Sequence, residues 1–307
     1  DTESRKKVLD AYITMTQKLV GEDKEAVYGL PYATNANGII YNKAKLKELG
    51  LEVPKTWDEL IAALETAKAA GEIPIYFTLK DAWTNMVIWN SISGNTVPTD
   101  FASKKSAGKT TFAKSDYKEV VKKFETLIQY GHKGNFGTSY NDGNVAFAKG
   151  QGLFYLQGNW AIPEILKANP DMEIGMAAFP VTKKAEDNKL ISGVDVILAE
   201  AADTEHPKEA QKFIDFMLEH ETAEQYITEQ KAFSALDGVI QKDENLSGVV
   251  PNFESGKITS FVDHYYPAGI GMDGFLQQHL IDASKGKSDS TKLLKTLDKE
   301  WDKVENR

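Results

Sequence analysis

The sequence predicts an α/β protein with largely parallel sheets, organised into about two domains. Short apolar runs alternate with amphipathic helical segments along the chain, the pattern of strand–helix–strand units. Its 307 residues are enough for about two cores at roughly 150 residues each. No internal repeat or low-complexity linker divides it, so the domains are expected to share several crossings of the chain.

Helical periodicity runs from Ser4 to Leu19 and stops at Gly21. Val27 to Tyr32 and Gly38 to Tyr41 read as two short buried strands around a polar loop, Thr34-Asn35-Ala36-Asn37. A short helix from Lys43 to Leu49 closes at Gly50. The next begins at Pro54-Lys55-Thr56-Trp57-Asp58-Glu59, with Thr56 as N-cap and Glu59 completing a capping box. It ends at Gly71 and yields to an apolar strand, Ile73 to Phe77. Tyr117 to Tyr130 is amphipathic, Val145 to Lys149 is a helical turn, and Leu153 to Leu156, Met172 to Phe179 and Val194 to Ala199 are strands. From Pro207 the chain is mainly helical: Pro207 to Leu218, Glu221 to Gln230, Phe275 to Lys285 and Lys292 to Val304.

Composition excludes whole classes of function. There is no cysteine, which removes thiol nucleophiles, disulfides, Cys-ligated zinc and iron–sulfur clusters together. A net charge of −9 argues against a protein that tracks phosphate backbones, so no nucleic-acid partner is expected. No run approaches the ~18 apolar residues needed to span a bilayer. Asp1-Thr2-Glu3-Ser4-Arg5 opens straight into a charged helix with no initiator Met and no signal-peptide pattern, and a processed or truncated start is expected.

The familiar catalytic motifs fail on context. Gly269-Ile270-Gly271-Met272-Asp273-Gly274 matches the dinucleotide fingerprint in letters, but it follows Asp263-His264-Tyr265-Tyr266-Pro267, a poor central strand. A nicotinamide-dependent oxidoreductase is therefore a distant reading, and no cofactor is expected. Gly108-Lys109-Thr110 and Gly286-Lys287-Ser288 carry Ser103 and Ile281 where a phosphate loop needs its earlier glycine. The histidines (His132, His206, His220, His264, His279) show no zinc-binding spacing, and no G-x-S-x-G elbow is present. Most carboxylates, such as Asp58, Glu59 and Glu65, fall on helix faces and read as solvated surface.

The tryptophans are more informative. Trp57 and Trp301 lie within helical patterns and read as core. Trp83 stands in a polar segment, Lys80-Asp81-Ala82-Trp83-Thr84-Asn85, just past a strand end. Trp160 follows Leu153–Leu156 through Gln157-Gly158-Asn159 and begins the next helix. Ligands of α/β sheets bind beyond such strand ends. An indole ring flanked by Asn, Gln and Asp suits a sugar, whose C–H face stacks on the ring while its hydroxyls meet planar polar groups. The plain alternative for each is a loop aromatic packed under its own helix.

At these residues the sequence resembles a known family. Tyr28-Gly29-Leu30-Pro31-Tyr32 followed by Gly38-Ile39-Ile40-Tyr41-Asn42-Lys43, the helix entry Pro54-Lys55-Thr56-Trp57-Asp58-Glu59-Leu60, Gln157-Gly158-Asn159-Trp160, Ser192-Gly193-Val194-Asp195-Val196, and His206-Pro207-Lys208-Glu209-Ala210 with Phe213-Ile214-Asp215-Phe216-Met217 look like the family 1 extracellular solute-binding proteins of ABC importers, the maltose-binding-protein-like carbohydrate binders. The resemblance covers nearly the whole chain in order. It implies a two-lobe periplasmic-binding-protein-like fold with a hinge and an interlobe ligand cleft. The lobes would be residues 1–33 with 196–242, and 38–192 with 248–307, joined by crossings near 33–38, 193–196 and 241–248.

The resemblance also implies a function and a site. The chain would capture a mono- or oligosaccharide by closure and deliver it to ABC permease membrane subunits, without catalysis. It would work outside the cell, either held at the membrane by a lipidated N-terminus absent here or free in the periplasm. Residue by residue, Asn35 falls at a polar sugar ligand of the first crossing, Trp83 at a stacking aromatic with Asp81 just before it, and Trp160 at the aromatic that stacks from the second lobe. Asp195 lies in the second crossing, and Tyr266 and Asp273 in the last segment that returns to the cleft. The alternative is a carbohydrate-active hydrolase using Asp81 and Asp195 as acid and base across the same cleft. Only about thirty residues precede the Leu30-Pro31-Tyr32 strand, fewer than the family carries, so the first lobe is expected to be incomplete at its N-terminus and the chain to self-associate.

Overall fold

The computed structural model describes residues 2–19 and 26–306. The helix stop expected at Gly21 lies outside the described residues. Two helices open the chain, α1 (Thr2–Lys6) and α2 (Asp10–Leu19), followed by strand β1 (Leu30–Asn42), α3 (Lys43–Glu48), α4 (Trp57–Ala69) and β2 (Ile75–Tyr76). A helical stretch, α5 (Trp83–Thr96), α6 (Phe101–Ser106), α7 (Tyr117–Ile128) and α8 (Tyr140–Ala148), leads to β3 (Phe154–Gly158), α9 (Ala161–Ala168), β4 (Ile174–Ala177) and β5 (Leu190–Leu198). The chain ends through α10 (Pro207–Met217), α11 (His220–Gln230), β6 (Phe233–Ser234), α12 (Val250–Glu254), β7 (Ile258–Thr259), α13 (Met272–Ser284) and α14 (Ser290–Glu305).

The expected α4 start forms with one change of partner. Thr56 Oγ1 accepts from the Glu59 amide at 3.3 Å, while the Glu59 carboxylate accepts from the Lys55 amide at 2.7 Å rather than from the cap residue itself.

All seven strands described share one mixed sheet, and β1 is its axis. Along the path β2-β3-β1-β5-β7, with β4 and β6 also pairing β1, every ladder on β1 is antiparallel; only β2–β3 and β5–β7 are parallel. The expectation of largely parallel pairing is thus overturned. Alternating strands and helices yield a parallel neighbour when one helix carries the chain back. Here β1 is not the neighbour of the strand that follows it: it pairs β3, β4, β5 and β6, strands from later in the chain that all run against it.

A second correction concerns the expected loop at residues 34–37. Thr34, Asn35, Ala36 and Asn37 lie inside the 13-residue β1, paired with Val194, Gly193, Ser192 and Ile191 of β5. Their backbone groups are satisfied by that ladder. A bulge between Pro31 and Thr34 bends the strand just before this stretch.

The core falls into three clusters. Val8, Ile13, Tyr32, Val194, Ala223, Ile227 and Leu236 pack together on one side. A larger cluster holds Leu60, Trp89, Phe112, Tyr117, Phe124, Leu276 and Trp301, with Trp57 partly buried against it. The third gathers Ile40, Phe147, Tyr155, Ile162, Met176, Leu190 and Val249. Strand β1 passes from the first cluster at Ala33 to the third at Ala36, and β5 from the third at Leu190 to the first at Val194.

Candidate functional site

Where β1 and β5 pass between cores, they form one wall of a cavity of about 500 Å³, within the range of small-ligand sites. Asn35 and Asn37 point there because β1 is pleated: alternate residues share a face, and Thr34 and Ala36, on the opposite face, are fully buried. The remaining walls are α5, Trp160, and the segment Phe261 to Asp273.

The aromatic pair is assembled by two helix starts. Trp83 is the first residue of α5 and 42% exposed, and Trp160 immediately precedes α9. Their ring centroids lie 6.4 Å apart with the planes tilted by 51°, an open V. Tyr140 braces both: its ring lies 5.2 Å from that of Trp83, and its hydroxyl donates to the Trp160 carbonyl at 3.4 Å.

Several polar atoms at this wall are out of water without a protein partner: Asn35 Oδ1, Asn37 Oδ1, Asp263 Oδ1, His264 Nδ1 and Trp160 Nε1. An unmade hydrogen bond of this kind costs about 1–3 kcal/mol, so a cluster of them in one cavity marks a place where a ligand completes the set. Asn37 is the clearest case. It is 2% exposed, and its amide nitrogen donates to the Val87 carbonyl at 3.1 Å while its oxygen is left over.

Electrostatically the site is acidic. Asp195, on β5, keeps much of its surface open to the cleft, yet the walls strip enough water from it to raise its carboxyl, against a smaller lowering pull from His264. Burial lowers the His264 imidazole, opposed by Asp263 and Asp195. The Asp263 amide donates to Asn90 Oδ1 at 3.2 Å, fixing the turn that carries both Asp263 and His264. Asp273 sits in the first turn of α13, and its carbonyl accepts from Asn85 Nδ2 at 2.9 Å. The preceding loop reaches it through Gly269 and Gly271, at φ +84° and +61°, a region glycine enters freely. The Gly269–Gly274 motif is therefore a loop that lines this cavity through Asp273 and enters a helix, with no strand immediately before it.

Six of the seven expected residues, Asn35, Trp83, Trp160, Asp195, Tyr266 and Asp273, line this one cavity. Asp81 does not. Its carboxylate accepts from the Tyr140 amide at 2.6 Å and holds the start of α8. Tyr266 contributes only its ring, because its hydroxyl points inward, accepting from Trp89 Nε1 at 3.3 Å and bonded closely to the Tyr117 hydroxyl. Burial pushes both phenols upward. Asn37, Asn90, Asp263 and His264 were not expected. The period-two repeat of Asn35 and Asn37 in an apolar run was the available signal for Asn37.

Asn159 ties the site to β1 and to the segment after α11. Its Oδ1 accepts from the Ala36 amide at 2.7 Å and its Nδ2 donates to the Lys231 carbonyl at 2.9 Å. Lys231 has φ +52°, and its ammonium meets Asp243 at 2.6 Å. The residue beside Trp160 is thus fastened to β1 and to the segment after α11. No cluster of three or more His, Asp or Glu residues suited to a metal occurs among the described residues, and none of their helices is long and apolar enough to cross a membrane.

The profile of the family described as bacterial extracellular solute-binding protein matches residues 3–224. This chain belongs to that family. Other members of the solute-binding family resemble it along most of its length. A multiple sugar-binding protein of Streptococcus mutans is 36% identical over 228 residues, 72% of this chain and 54% of that protein. A melibiose/raffinose/stachyose-binding protein of Bacillus subtilis is 25% identical over 80% of this chain and 59% of its own length. This chain therefore spans just over half of these relatives. Among solved structures, RafE of Streptococcus pneumoniae without ligand superposes with TM-score 0.78 at 25% identity, covering 99% of this chain and 77% of that one. RafE in complex with raffinose gives the same TM-score and identity. The solute-binding fold is accordingly the two-lobe one expected.

Proposed function

We propose that this solute-binding chain captures a sugar in the cavity between β1, β5 and Trp160 for an ABC-type importer. The observation that carries the reading is the pairing of two tilted indoles with unpartnered carboxamide and carboxylate oxygens in one 500 Å³ cavity. Pyranose C–H faces stack on the indoles, and hydroxyls donate to the waiting oxygens. The names of the relatives support it, since they are sugar-binding proteins and one is solved with raffinose.

The lobes we infer are residues 1–33 with 196–242, and 38–192 with 248–307. The handover of β1 and β5 between core clusters supports the first two crossings, and the passage from Val239 in one cluster to Leu246 in another supports the third. A sugar touching both sides pairs all of these groups only when the lobes approach, so binding shifts the population toward the closed form. A permease that reads the closed shape completes the cycle. The work is done outside the cytoplasmic membrane, and a lipid anchor on the N-terminal side is part of the same reading.

No catalysis is assigned. Of the two carboxylates that a hydrolase would use, Asp81 is engaged with α8 away from the cavity that Asp195 lines. Calorimetric titration with melibiose, raffinose and stachyose tests both points. Saturable heat with the sugar recovered intact after hours supports capture, while release of monosaccharides would return the hydrolase.

A further inference from the structure

The cavity is one-sided in charge. Of the five atoms left unpartnered there, Asn35 Oδ1, Asn37 Oδ1 and Asp263 Oδ1 can only accept, and Trp160 Nε1 alone can only donate. Asn37 is 2% exposed, so water does not readily serve its oxygen. Asp195, Asp263 and Asp273 line the same space, and no Lys or Arg is among the residues that do.

The three carboxylates differ in what offsets them. Asp273 has the N-terminal turn of α13, whose amides favour negative charge. Asp195 and Asp263 have only His264, and burial keeps that imidazole neutral at neutral pH. Burial, which raises the Asp195 carboxyl, disfavours its charge, and a cation beside it would favour that charge again. A metal ion does not fill the need, since the described residues provide no converging set of ligands. An organic cation does, and the indole faces of Trp83 and Trp160 attract one as well as they stack a sugar.

We propose that the cleft prefers sugars bearing a protonated amine, seated between Asp195 and Asp263, over neutral sugars, and that it rejects sugars bearing carboxylate or phosphate. This rests on the sugar-capture reading above. A sugar hydroxyl brings one donor, whereas an ammonium brings three together with a charge, and charge-assisted hydrogen bonds are roughly twice as strong as neutral ones. An anionic group would meet two carboxylates with no cation to offset them.

Four disaccharides test the ranking by titration calorimetry: three of matched β-1,4 linkage, the chitosan disaccharide with free amines, cellobiose and N,N′-diacetylchitobiose, and the α-1,4-linked digalacturonate as the anionic member. The free-amine sugar is expected to bind about tenfold more tightly than cellobiose, the advantage shrinking as salt is raised, and digalacturonate to give no measurable heat. In the Asp195→Asn, Asp263→Asn double variant the amine and neutral sugars should bind alike. Equal affinity of the parent protein for the two, or a salt-independent difference, overturns the proposal while leaving sugar capture intact. Heat from digalacturonate comparable to that of cellobiose overturns it equally. Absence of binding by all four overturns this proposal, and sugar capture falls with it only where melibiose, raffinose and stachyose also give no heat. The salt dependence of the parent protein decides the matter even if the double variant does not fold.

Discussion

Trp160 owes its place in the cleft to a residue with no side chain. A β-carbon on Gly158 would lie 2.1 Å from the indole ring, closer than any real contact, so Gly158→Ala must push the ring away. That variant should lose as much sugar affinity as Trp160→Ala. Trp83→Ala and Trp160→Ala should each weaken binding by about 1–3 kcal/mol, and for the half-exposed Trp83 the melting temperature should barely move; titration calorimetry beside a thermal melt separates the two effects. A large fall in the Trp83→Ala melt would make that ring part of the core instead. His264 offers a pH readout. Because burial lowers its folded-state pKa below the ordinary 6.5, it costs little well above pH 6.5, where it is neutral folded and unfolded. As pH falls through 6.5 the unfolded chain takes up the proton first, so stability drops. The raised carboxyl of Asp195 acts oppositely, and nearer the carboxylate range. Between pH 7 and 6 the parent should therefore lose more stability to urea than His264→Asn does; identical slopes would remove His264 from the account.

At the scale of elements, the sequence was read well where one signal decided the outcome. Thr56 and its following apolar period marked α4, and Leu153 to Leu156 marked β3, because capping and apolar runs are local. Trp83 shows the limit. The polar letters of Lys80 to Asn85 suggested a loop, yet α5 starts there and buries Thr84, Asn85, Asn90, Ser91 and Ser93. Its polar side chains find partners far away, such as the Asp273 carbonyl and the Asp263 amide, and no local pattern announces them. The same holds for Asp81: its position before Trp83 suggested a sugar ligand, but Tyr140, far along the chain, claims its carboxylate. Asn159 is the element-scale joint. Removing its side chain leaves the Ala36 amide and the Lys231 carbonyl short of a partner, and at about 1 kcal/mol per net hydrogen bond Asn159→Ala should cost about 2 kcal/mol in urea unfolding. Asn159→Asp keeps the acceptor alone and should fall between. If the alanine variant is as stable as the parent, the joint carries no load.

The whole molecule presents an uneven surface. Helix α10 has no buried residue, and Phe213 and Phe216 on it are 58% and 53% exposed, while Tyr28, 47% exposed, lines a groove with Gln211 and Ile214 of the same helix. Large exposed aromatics on an amphipathic helix favour association over a solvated monomer. Light scattering after size-exclusion chromatography should show self-association that weakens in Phe213→Ser, Phe216→Ser; a monomeric parent at tens of micromolar would count against it. The central strand has a consequence in time as well as space. Among the described residues, every ladder partner of β1 comes later in the chain: Phe154 to Gly158, then Ile174 to Ala177, Leu190 to Leu198 and Phe233 to Ser234. These pairings reach across more than a hundred residues, and such high contact order makes folding slow. A chain whose central strand pairs so far along the sequence closes late, and an open chain is the form that a narrow secretion channel can thread.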